Sequence, residues 1–252
     1  MKKSLKFLGL AVVFFGLFSC QEQKKEAINT VEEEVEIKQT AIKSILTAEE
    51  QASMTPDEII GRLKKGNENF VSNNLTQCDH SEQRRIAAIG QYPKAIVLSC
   101  VDSRVPVEDV FDLGIGDIFV ARVAGNIENR DIVGSMEFAT AVAGSKLVIV
   151  MGHTQCGAVK HAIDNTDAKS MNMIALGDLL SEIRPSVDMT ERIGEVSSKN
   201  EAFTNNVINN NALKTVEDIK LQSPKLKELD DNGTIKIVAA VYDMATGRVN
   251  FL

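Results

Sequence analysis

Four long apolar runs, each the length of a sheet strand, dominate the hydrophobic pattern of this chain. The runs are AIVLSC (95–100), DIFVARVAG (117–125), KLVIVMGH (146–153) and TIKIVAAVYD (234–243). A strand that is apolar on both faces is typical of a parallel sheet that helices cover on both sides. The pattern therefore predicts four strands, each buried on both faces.

The segments between these runs have the spacing of helices. Residues 131–144 place apolar side chains three or four positions apart, and residues 164–232 are polar with a helical tendency. The second region is predicted to cover the sheet or a partner subunit. A last short run, GRVNFL, follows a predicted turn at Thr246–Gly247. Strands that alternate with helices predict an α/β fold with right-handed crossovers, in which helices flank a mainly parallel sheet.

The folded domain is predicted to begin with a helix at TPDEIIGRL. Thr55 suits the N-cap, Pro56 suits the first helical position, and Glu58 completes a capping box. Apolar residues follow at helical spacing as far as Phe70. We therefore predict a domain over residues 55–252 that opens with an N-terminal helical arm.

The first twenty residues have the pattern of an export signal. Three lysines flank or precede an apolar stretch from Phe7 to Phe18, which is shorter than the ~20 residues of a membrane-spanning helix. The stretch ends in LFSC, which resembles a bacterial lipobox. We predict a lipoprotein-type signal peptide over residues 1–19 and lipidation of Cys20. A plain signal peptide or an anchoring helix is the alternative.

Residues 20–54 are polar and acidic, and they are predicted to form a tether between the lipid and the domain. The residue after Cys20 is Gln21. An Asp at this position would resemble the signal for inner-membrane retention in enteric bacteria. We therefore predict an exported protein with a lipid anchor in a bacterial membrane. The outer membrane is favoured, on its periplasmic or its cell-surface side.

The composition excludes some classes of function. The chain has 44% hydrophobic and 25% charged residues, as in an ordinary soluble globular domain. Its formal charge is −7, and loss of the three signal lysines leaves 25 basic against 35 acidic residues, or −10. A general nucleic-acid binder would need clustered Lys and Arg. We predict no nucleic-acid partner and membrane contact only through the lipid anchor.

The cysteine count points to a bound metal or to a mixture of thiols and a disulfide. With Cys20 lipidated, Cys78, Cys100 and Cys156 remain, and an odd number cannot all pair. Export permits disulfides, so one disulfide with one free thiol is one alternative and metal-bound thiols are the other. Cys78 stands two residues before His80, which allows a second metal site, although an unliganded thiol is the favoured interpretation.

Two cysteines and a histidine are predicted to meet at one edge of the sheet. Cys100 ends the first apolar run, His153 ends the third, and Cys156 follows at the start of the next helix. Ligands of open α/β sheets bind beyond the carboxyl ends of strands, and a helix N-terminus favours thiolate. Two thiolates and one imidazole suit zinc, with a fourth position open in catalytic sites. The alternative is three unliganded core residues.

The segments around these residues resemble a known family. Two segments closely resemble motifs of the β-class carbonic anhydrases in their residues, their order and their separation. They are CVDSRVPVEDVFDLGIGDIFVARVAGN (100–126) and HTQCGAV (153–159). The resemblance covers about residues 56–252. It implies a β-carbonic anhydrase-like fold, and a homodimer or homotetramer whose N-terminal helices embrace the partner. It also implies reversible hydration of carbon dioxide to bicarbonate and a proton.

The same resemblance implies a role for each residue of the motifs. One Zn²⁺ per chain is bound by three ligands, Cys100, His153 and Cys156. The catalytic dyad is Asp102 and Arg104. The substrate pocket is lined by two further residues, Gln91 and Phe119, of which Gln91 reaches the site of a neighbouring subunit.

Simple electrostatics explains why such a site needs the dyad. Two thiolates and a neutral imidazole cancel the charge of Zn²⁺, so this set should acidify its water less than a three-histidine site does. A carboxylate that accepts a hydrogen bond from zinc-bound hydroxide would orient it toward carbon dioxide. Held by Arg104 in a charge-assisted pair, Asp102 leaves the fourth position open; as a fourth ligand, it closes the site.

Two positions bear on whether the site is open. Val97 stands where members with an allosteric bicarbonate pocket carry Trp. We therefore expect a site that is open at neutral pH, and we expect Arg122, which matches the arginine of that pocket, to be structural or at the subunit interface.

Other functions remain open. Relatives with similar ligands hydrolyse carbon disulfide or carbonyl sulfide, and a structural zinc protein without turnover is a further alternative. A thiol-redox protein is disfavoured because Cys100 and Cys156 are not a C-x-x-C pair. His161 lies about 140° around its helix from Cys156, so it is expected at the surface rather than as a proton shuttle.

Overall fold

A five-stranded sheet forms the centre of the structure, a computed structural model that describes residues 45–252. The strands are β1 (Ala95–Ser99), β2 (Ile118–Arg122), β3 (Leu147–His153), β4 (Lys236–Tyr242) and β5 (Val249–Phe251). Their order across the sheet is β2-β1-β3-β4-β5. Strands β1 to β4 run parallel, and β5 runs antiparallel to β4. The prediction of a mainly parallel α/β sheet is confirmed.

Helices flank this sheet in the described part of the chain. They are α1 (Ala48–Ser53), α2 (Pro56–Val71), α3 (His80–Ala87), α4 (Val107–Val110), α5 (Arg130–Glu137), α6 (Gly157–Ile163), α7 (Ile174–Asp188), α8 (Glu201–Gln222) and α9 (Pro224–Asp231). Helix α2 begins as predicted, with Thr55 as its N-cap and Glu58 completing the capping box. The predicted helical region 164–232 contains α7, α8 and α9, and α8 packs on β3 and β4 of its own sheet.

The predicted export and anchoring segments are not part of this description. The signal peptide (1–19), the lipidated Cys20 and the tether as far as residue 44 lie outside the described residues. Among residues 45–252, no helix combines the length and the hydrophobicity that a bilayer crossing requires. The lipid anchor therefore stays a prediction.

Helix α1 corrects the predicted start of the domain. It lies within the segment predicted to be tether, yet Thr47 and Glu50 form a capping box that fixes its first turn. Gln51 is buried and donates hydrogen bonds to the carbonyl oxygens of Pro93 at 2.8 Å and Ala143 at 2.9 Å. A buried amide whose donors are satisfied by the domain belongs to it. The folded part therefore starts before residue 55.

The sheet separates two apolar layers because successive side chains of a strand point to opposite faces. Val97 and Ile149 pack on one face against α2 and α4, whereas Leu98 and Val150 pack on the other face against α5, α8 and α9. A third cluster lies beyond the carboxyl ends of β1 and β3 and includes Cys100. The third cluster contains two of the predicted metal ligands, Cys100 and Cys156.

The prediction for the second apolar run was wrong in one respect. Strand β2 forms the edge of the sheet, and within residues 45–252 its first four residues are only half-buried while Arg122 is exposed. In the part of the chain from residue 45 onward, β2 pairs with β1 alone and no strand lies on its outer side. Local hydrophobicity does not reveal which strand takes an edge, since that depends on strand order.

The predicted helix over residues 131–144 is also modified. It forms as α5, capped by the Asn129 side chain, and then widens into a π-helical turn at Phe138–Val142. The Ala143 N–H donates to the Phe138 carbonyl at 2.9 Å, five residues back. In this turn Phe138 is 51% and Val142 is 73% exposed, so two apolar side chains point away from the core.

Two glycines of α2 give a matched test of its packing. A Cβ at Gly66 would overlap the Phe111 carbonyl, whereas a Cβ at Gly61 would meet nothing within 4 Å. We expect Gly66→Ala to lower the free energy of unfolding by about 2 kcal/mol or more, because the backbone of α4 must move. Gly61→Ala should raise it by up to about 1 kcal/mol through helix propensity. Urea unfolding measures both, and equal effects would contradict the close approach.

Candidate metal centre

Three side chains with metal-binding atoms meet beyond the carboxyl edge of the sheet. Cys100 follows the last residue of β1, His153 ends β3, and Cys156 is the N-cap residue of α6. Their ligand atoms all lie within 4.8 Å of one another, and all three side chains are buried. The spacing suits one ion, given Zn–S distances of ~2.3 Å and Zn–N distances of ~2.0 Å. The predicted convergence is therefore present in the structure.

The histidine is oriented as a metal ligand requires. Its Nδ1 lies 2.9 Å from the Thr154 carbonyl oxygen, so the proton sits on Nδ1 and Nε2 keeps its lone pair. Nε2 is fully buried and has no hydrogen-bond partner within the described residues. Such an orphaned acceptor needs a partner. A zinc ion among two sulfurs and this nitrogen fits the donor set and supplies that partner.

The two thiols shift each other's pKa in opposite directions. The interaction with the Cys156 side chain lowers the pKa of Cys100 to about 4, although burial opposes the shift. The same interaction, with burial, raises the pKa of Cys156. The expectation that the helix N-terminus favours a thiolate at Cys156 stays a prediction for the metal-bound site. A metal cation between the two sulfurs would bind them as thiolates and displace their protons.

A carboxylate stands beside this cluster and is held by an arginine. Arg104 donates from Nε to Asp102 Oδ1 at 2.9 Å and from Nη2 to Oδ2 at 2.8 Å. The Arg104 backbone N–H donates to Oδ1 at 3.0 Å. These bonds lower the pKa of Asp102 to about 2, with the arginine side chain as the main cause. Asp102 Oδ2 lies 3.9 Å from His153 Nε2, so the held carboxylate borders the ligand cluster.

Comparison with known proteins identifies the family. Residues 95–249 match the family model described as carbonic anhydrase. Carbonic anhydrase 2 of Mycobacterium tuberculosis is 33% identical over 187 residues, which are 74% of this chain and 87% of the relative. The chain belongs to the β-class carbonic anhydrase family.

Two further likenesses are to a solved structure and to a hydrolase. A solved β-carbonic anhydrase of Sordaria macrospora, one of two described as tetrameric, shares the fold with a TM-score of 0.53 and 19% identity. The match covers 78% of this chain and 92% of that one. A carbon disulfide hydrolase of Saccharolobus solfataricus is 30% identical over 95 residues, which are 38% of this chain and 47% of the relative.

A second arginine braces the loop of this β-carbonic anhydrase that carries the first cysteine. Arg122 donates from Nε to the Cys100 carbonyl at 2.9 Å and from Nη2 to the Asp102 carbonyl at 2.6 Å. The bonds fix the backbone on either side of Val101. They fit the structural alternative predicted for Arg122. Val97 is fully buried in the core, with no aromatic residue at that position.

The predicted substrate-lining residues are not in contact with this cluster. Gln91 is exposed and precedes β1, at the opposite end of that strand from Cys100. Phe119 is the second residue of β2, and its ring meets the Phe138 ring edge-on at 6.1 Å between centroids. Both lie near the amino ends of the strands. Their roles as pocket-lining residues stay predictions.

The remaining predicted positions have ordinary surroundings. Cys78 is half-buried, with its sulfur 3.8 Å from the Thr76 carbonyl, and His80 is the exposed first residue of α3. Within residues 45–252, Cys78 and His80 are not part of any group of three metal-binding side chains. His161 is exposed, as expected, and its Nδ1 lies 3.0 Å from Thr166 Oγ1.

Sequence reasoning missed the hydrogen bond that Cys100 receives from the backbone. The Gly125 N–H donates to the Cys100 sulfur at 3.3 Å. Gly125 has a φ of +73°, which favours glycine. The AGN triplet that ends the second apolar run was the available signal, since such a glycine marks a special turn.

A carboxyl group with a raised pKa lies near this turn. Glu128 lines a cavity of about 400 Å³ together with Ile127 and Leu179. Burial raises the pKa of Glu128 to about 7, and the negative charge of Asp218 adds to the shift. Gln222 Nε2 donates to Glu128 Oε1 at 3.1 Å, a bond that either protonation state of the carboxyl can accept.

This raised pKa predicts a pH-dependent stability. The folded chain binds the Glu128 proton more tightly than the unfolded chain, whose group titrates near its ordinary value of 4.5. Stability from this group is fully present below pH 4.5 and is lost as the pH rises through about 7. Glu128→Gln mimics the protonated form, so it should raise the melting temperature at pH 8 and change it little at pH 4. The gain at pH 8 should be about 1–2 kcal/mol after allowance for solvent screening.

Thermal unfolding at the two pH values measures the effect. Glu191→Gln, at an exposed position, is the matched control and should behave alike at both. Equal shifts of Glu128→Gln at pH 4 and pH 8 would contradict the assignment.

Proposed function

We propose that this protein catalyses the reversible hydration of carbon dioxide to bicarbonate and a proton. In this proposal, Cys100, His153 and Cys156 hold one Zn²⁺, and Asp102 and Arg104 act as the catalytic dyad. The observation that carries the proposal is the arginine-held carboxylate bordering a buried triangle of two sulfurs and one imidazole nitrogen. Family membership supports the same reaction.

The division of labour follows from the contacts. Zn²⁺, when bound, supplies Lewis acidity that makes a water molecule nucleophilic near neutral pH. Asp102 would accept a hydrogen bond from that water at Oδ2 and so turn its lone pair toward carbon dioxide. Arg104 occupies both carboxylate oxygens, which keeps Asp102 from turning to the ligand cluster as a fourth ligand. Apolar neighbours such as Ile127 and Val159 limit the access of further water.

The dyad gives the central test of this proposal. Asp102→Asn keeps the shape of the side chain but removes its charge, so it weakens the arginine pair and the acceptor. We expect carbon dioxide hydration, measured by stopped flow near pH 7.5, to fall on the order of 100-fold or more. Zinc measured in the same samples should stay at one ion per chain. Arg104→Ala frees Asp102 to close the site, and it should lose turnover at neutral pH while retaining zinc.

The control for these variants is an acid of the same segment. Asp109→Asn changes an exposed carboxylate of α4 and should keep full turnover. Stoichiometric zinc without hydration in the parent protein would refute the proposed reaction. Full turnover of Arg104→Ala with an open fourth position would refute the role of the arginine.

A second candidate reaction is the hydrolysis of carbon disulfide or carbonyl sulfide. The similarity to a carbon disulfide hydrolase favours it, although that match covers less than half of either chain. The same residues would serve, because both substrates are linear analogues of carbon dioxide. Sulfide release from carbon disulfide, assayed beside hydration, separates the two reactions. Retained zinc with neither activity would leave the structural role.

We also propose that the protein works as a homodimer or homotetramer. Strand β2 leaves a sheet edge open, and Phe119 and Phe138 line a cavity of about 750 Å³ beside it. Val142 projects from the adjacent π-helical turn. An exposed apolar surface of this kind is typical of protein interfaces. A second copy of the chain that covers the edge of β2 would bury this surface. The tetrameric description of the Sordaria enzymes is in keeping with this arrangement.

A single charge placed on this surface tests the assembly. Val142→Glu should be tolerated by the monomer, since the side chain is 73% exposed. In the assembly it would bury an unpaired charge, which costs several kcal/mol. We expect sedimentation velocity to show a shift toward monomer. Val196→Glu, at an exposed valine of another loop, should leave the assembly intact. An unchanged oligomer in Val142→Glu would show that this surface lies outside the interface.

A further inference from the structure

A chain of buried hydrogen bonds runs from the first cysteine into the helical layer. The Gly125 N–H donates to Cys100 Sγ at 3.3 Å. The Gly125 carbonyl accepts from Asn211 Nδ2 at 2.8 Å. Asn211 Oδ1 in turn accepts from Ser186 Oγ at 3.2 Å. Helices α7 and α8 are thereby connected to the sulfur through one glycine.

Asn211 is an unusual residue for its position. It lies within α8 and is 2% exposed, next to the fully buried Ala212 and one turn from Val207 and Ile208. Asparagine is a weak helix former, and a buried amide is costly unless its polar atoms are bonded. An apolar residue would serve the packing of this face better. The amide is therefore explained by what it holds, which is Gly125 on one side and Ser186 on the other.

The backbone geometry of Gly125 links its contact with Asn211 to the direction of its own N–H. The peptide group between Gly125 and Asn126 is fixed at both ends, because its N–H donates to the Val123 carbonyl at 2.9 Å and its C=O accepts from Asn211. With that peptide fixed and φ at +73°, the N–H of Gly125 itself points at the sulfur. A Cβ at this position would lie 2.5 Å from Ile183 Cδ1, so a larger residue would collide there and the turn requires glycine.

We propose that Asn211 is a positioning residue of the metal centre, which holds the Gly125 N–H against the Cys100 sulfur. A hydrogen bond to a ligating thiolate withdraws charge from the sulfur and so leaves more positive charge on the metal. In a site where two thiolates neutralise the ion, this bond preserves part of its Lewis acidity. The inference rests on the proposed role of Cys100 as a ligand.

Cobalt substitution of the purified protein reports on this sulfur directly. Thiolate-to-Co²⁺ charge-transfer absorption moves to longer wavelength when the thiolate loses a hydrogen-bond donor. We expect this shift in Asn211→Ala, together with zinc affinity that is weaker on the order of 10-fold in a chelator competition. Asn210→Ala is the matched control, because the neighbouring amide bonds to Thr190 Oγ1 at 2.8 Å and not to the turn. Its spectrum and affinity should equal those of the parent.

A second variant guards against a folding defect. Ser186→Ala removes one buried hydroxyl and frees Asn211 to rotate, so it should give a smaller shift in the same direction. If Asn211→Ala lowers the melting temperature but leaves absorption and affinity unchanged, the residue is structural and the inference is wrong. If Asn211→Ala does not fold, an unchanged spectrum in Ser186→Ala overturns the inference. Absence of charge-transfer absorption in the parent would instead refute the proposed metal centre, and the inference with it.

Discussion

The parallel register of β1 with β3 is the constraint on which the candidate site depends. Ser99 pairs with Met151, so the residue after β1 and the last residues of β3 reach the same edge of the sheet. Parallel pairing brings the carboxyl ends of both strands together, where backbone groups and helix N-termini lie open to a ligand. A slip of one residue would turn Cys100 or His153 to the other face of the sheet. The two buried apolar layers make such a slip costly and thereby secure the chemistry.

Charge is the second constraint, because the sulfurs and the carboxylate are crowded into a largely buried space. Arg104 compensates Asp102 directly, and Arg122 holds the backbone between this pair and the first cysteine. The two buried cysteines shift each other's pKa, downward for Cys100 and upward for Cys156. A cation would compensate the charge of two thiolates and satisfy the orphaned nitrogen of His153 at once. The zinc proposal thus explains two unrelated features of the buried cluster with one ion.

The sequence predicts well those structural features that depend on residues close together along the chain. Apolar runs indicated β1 and β3. The positions of Cys100, His153 and Cys156 at the ends of these runs predicted that the three side chains meet. The edge position of β2, by contrast, depends on strand order, and the inclusion of α1 depends on two carbonyl acceptors for Gln51 that are distant in sequence. Asn211 escaped notice for the same reason: its partner Gly125 is 86 positions away.

The structure also separates what one chain supplies from what assembly would supply. The ligand cluster, the held carboxylate and its bracing all come from a single chain, and they are complete at the carboxyl edge of the sheet. Gln91 and Phe119, the proposed lining of the pocket, lie toward the amino ends of β1 and β2. If they act, they act on the site of a second copy. The metal-binding half of the chemistry would then survive dissociation, while the walls that receive carbon dioxide would not. Under the proposed assembly, metal content and turnover would be separable properties of this protein, because metal binding would depend on the register of the sheet and turnover on the partner at its open edge.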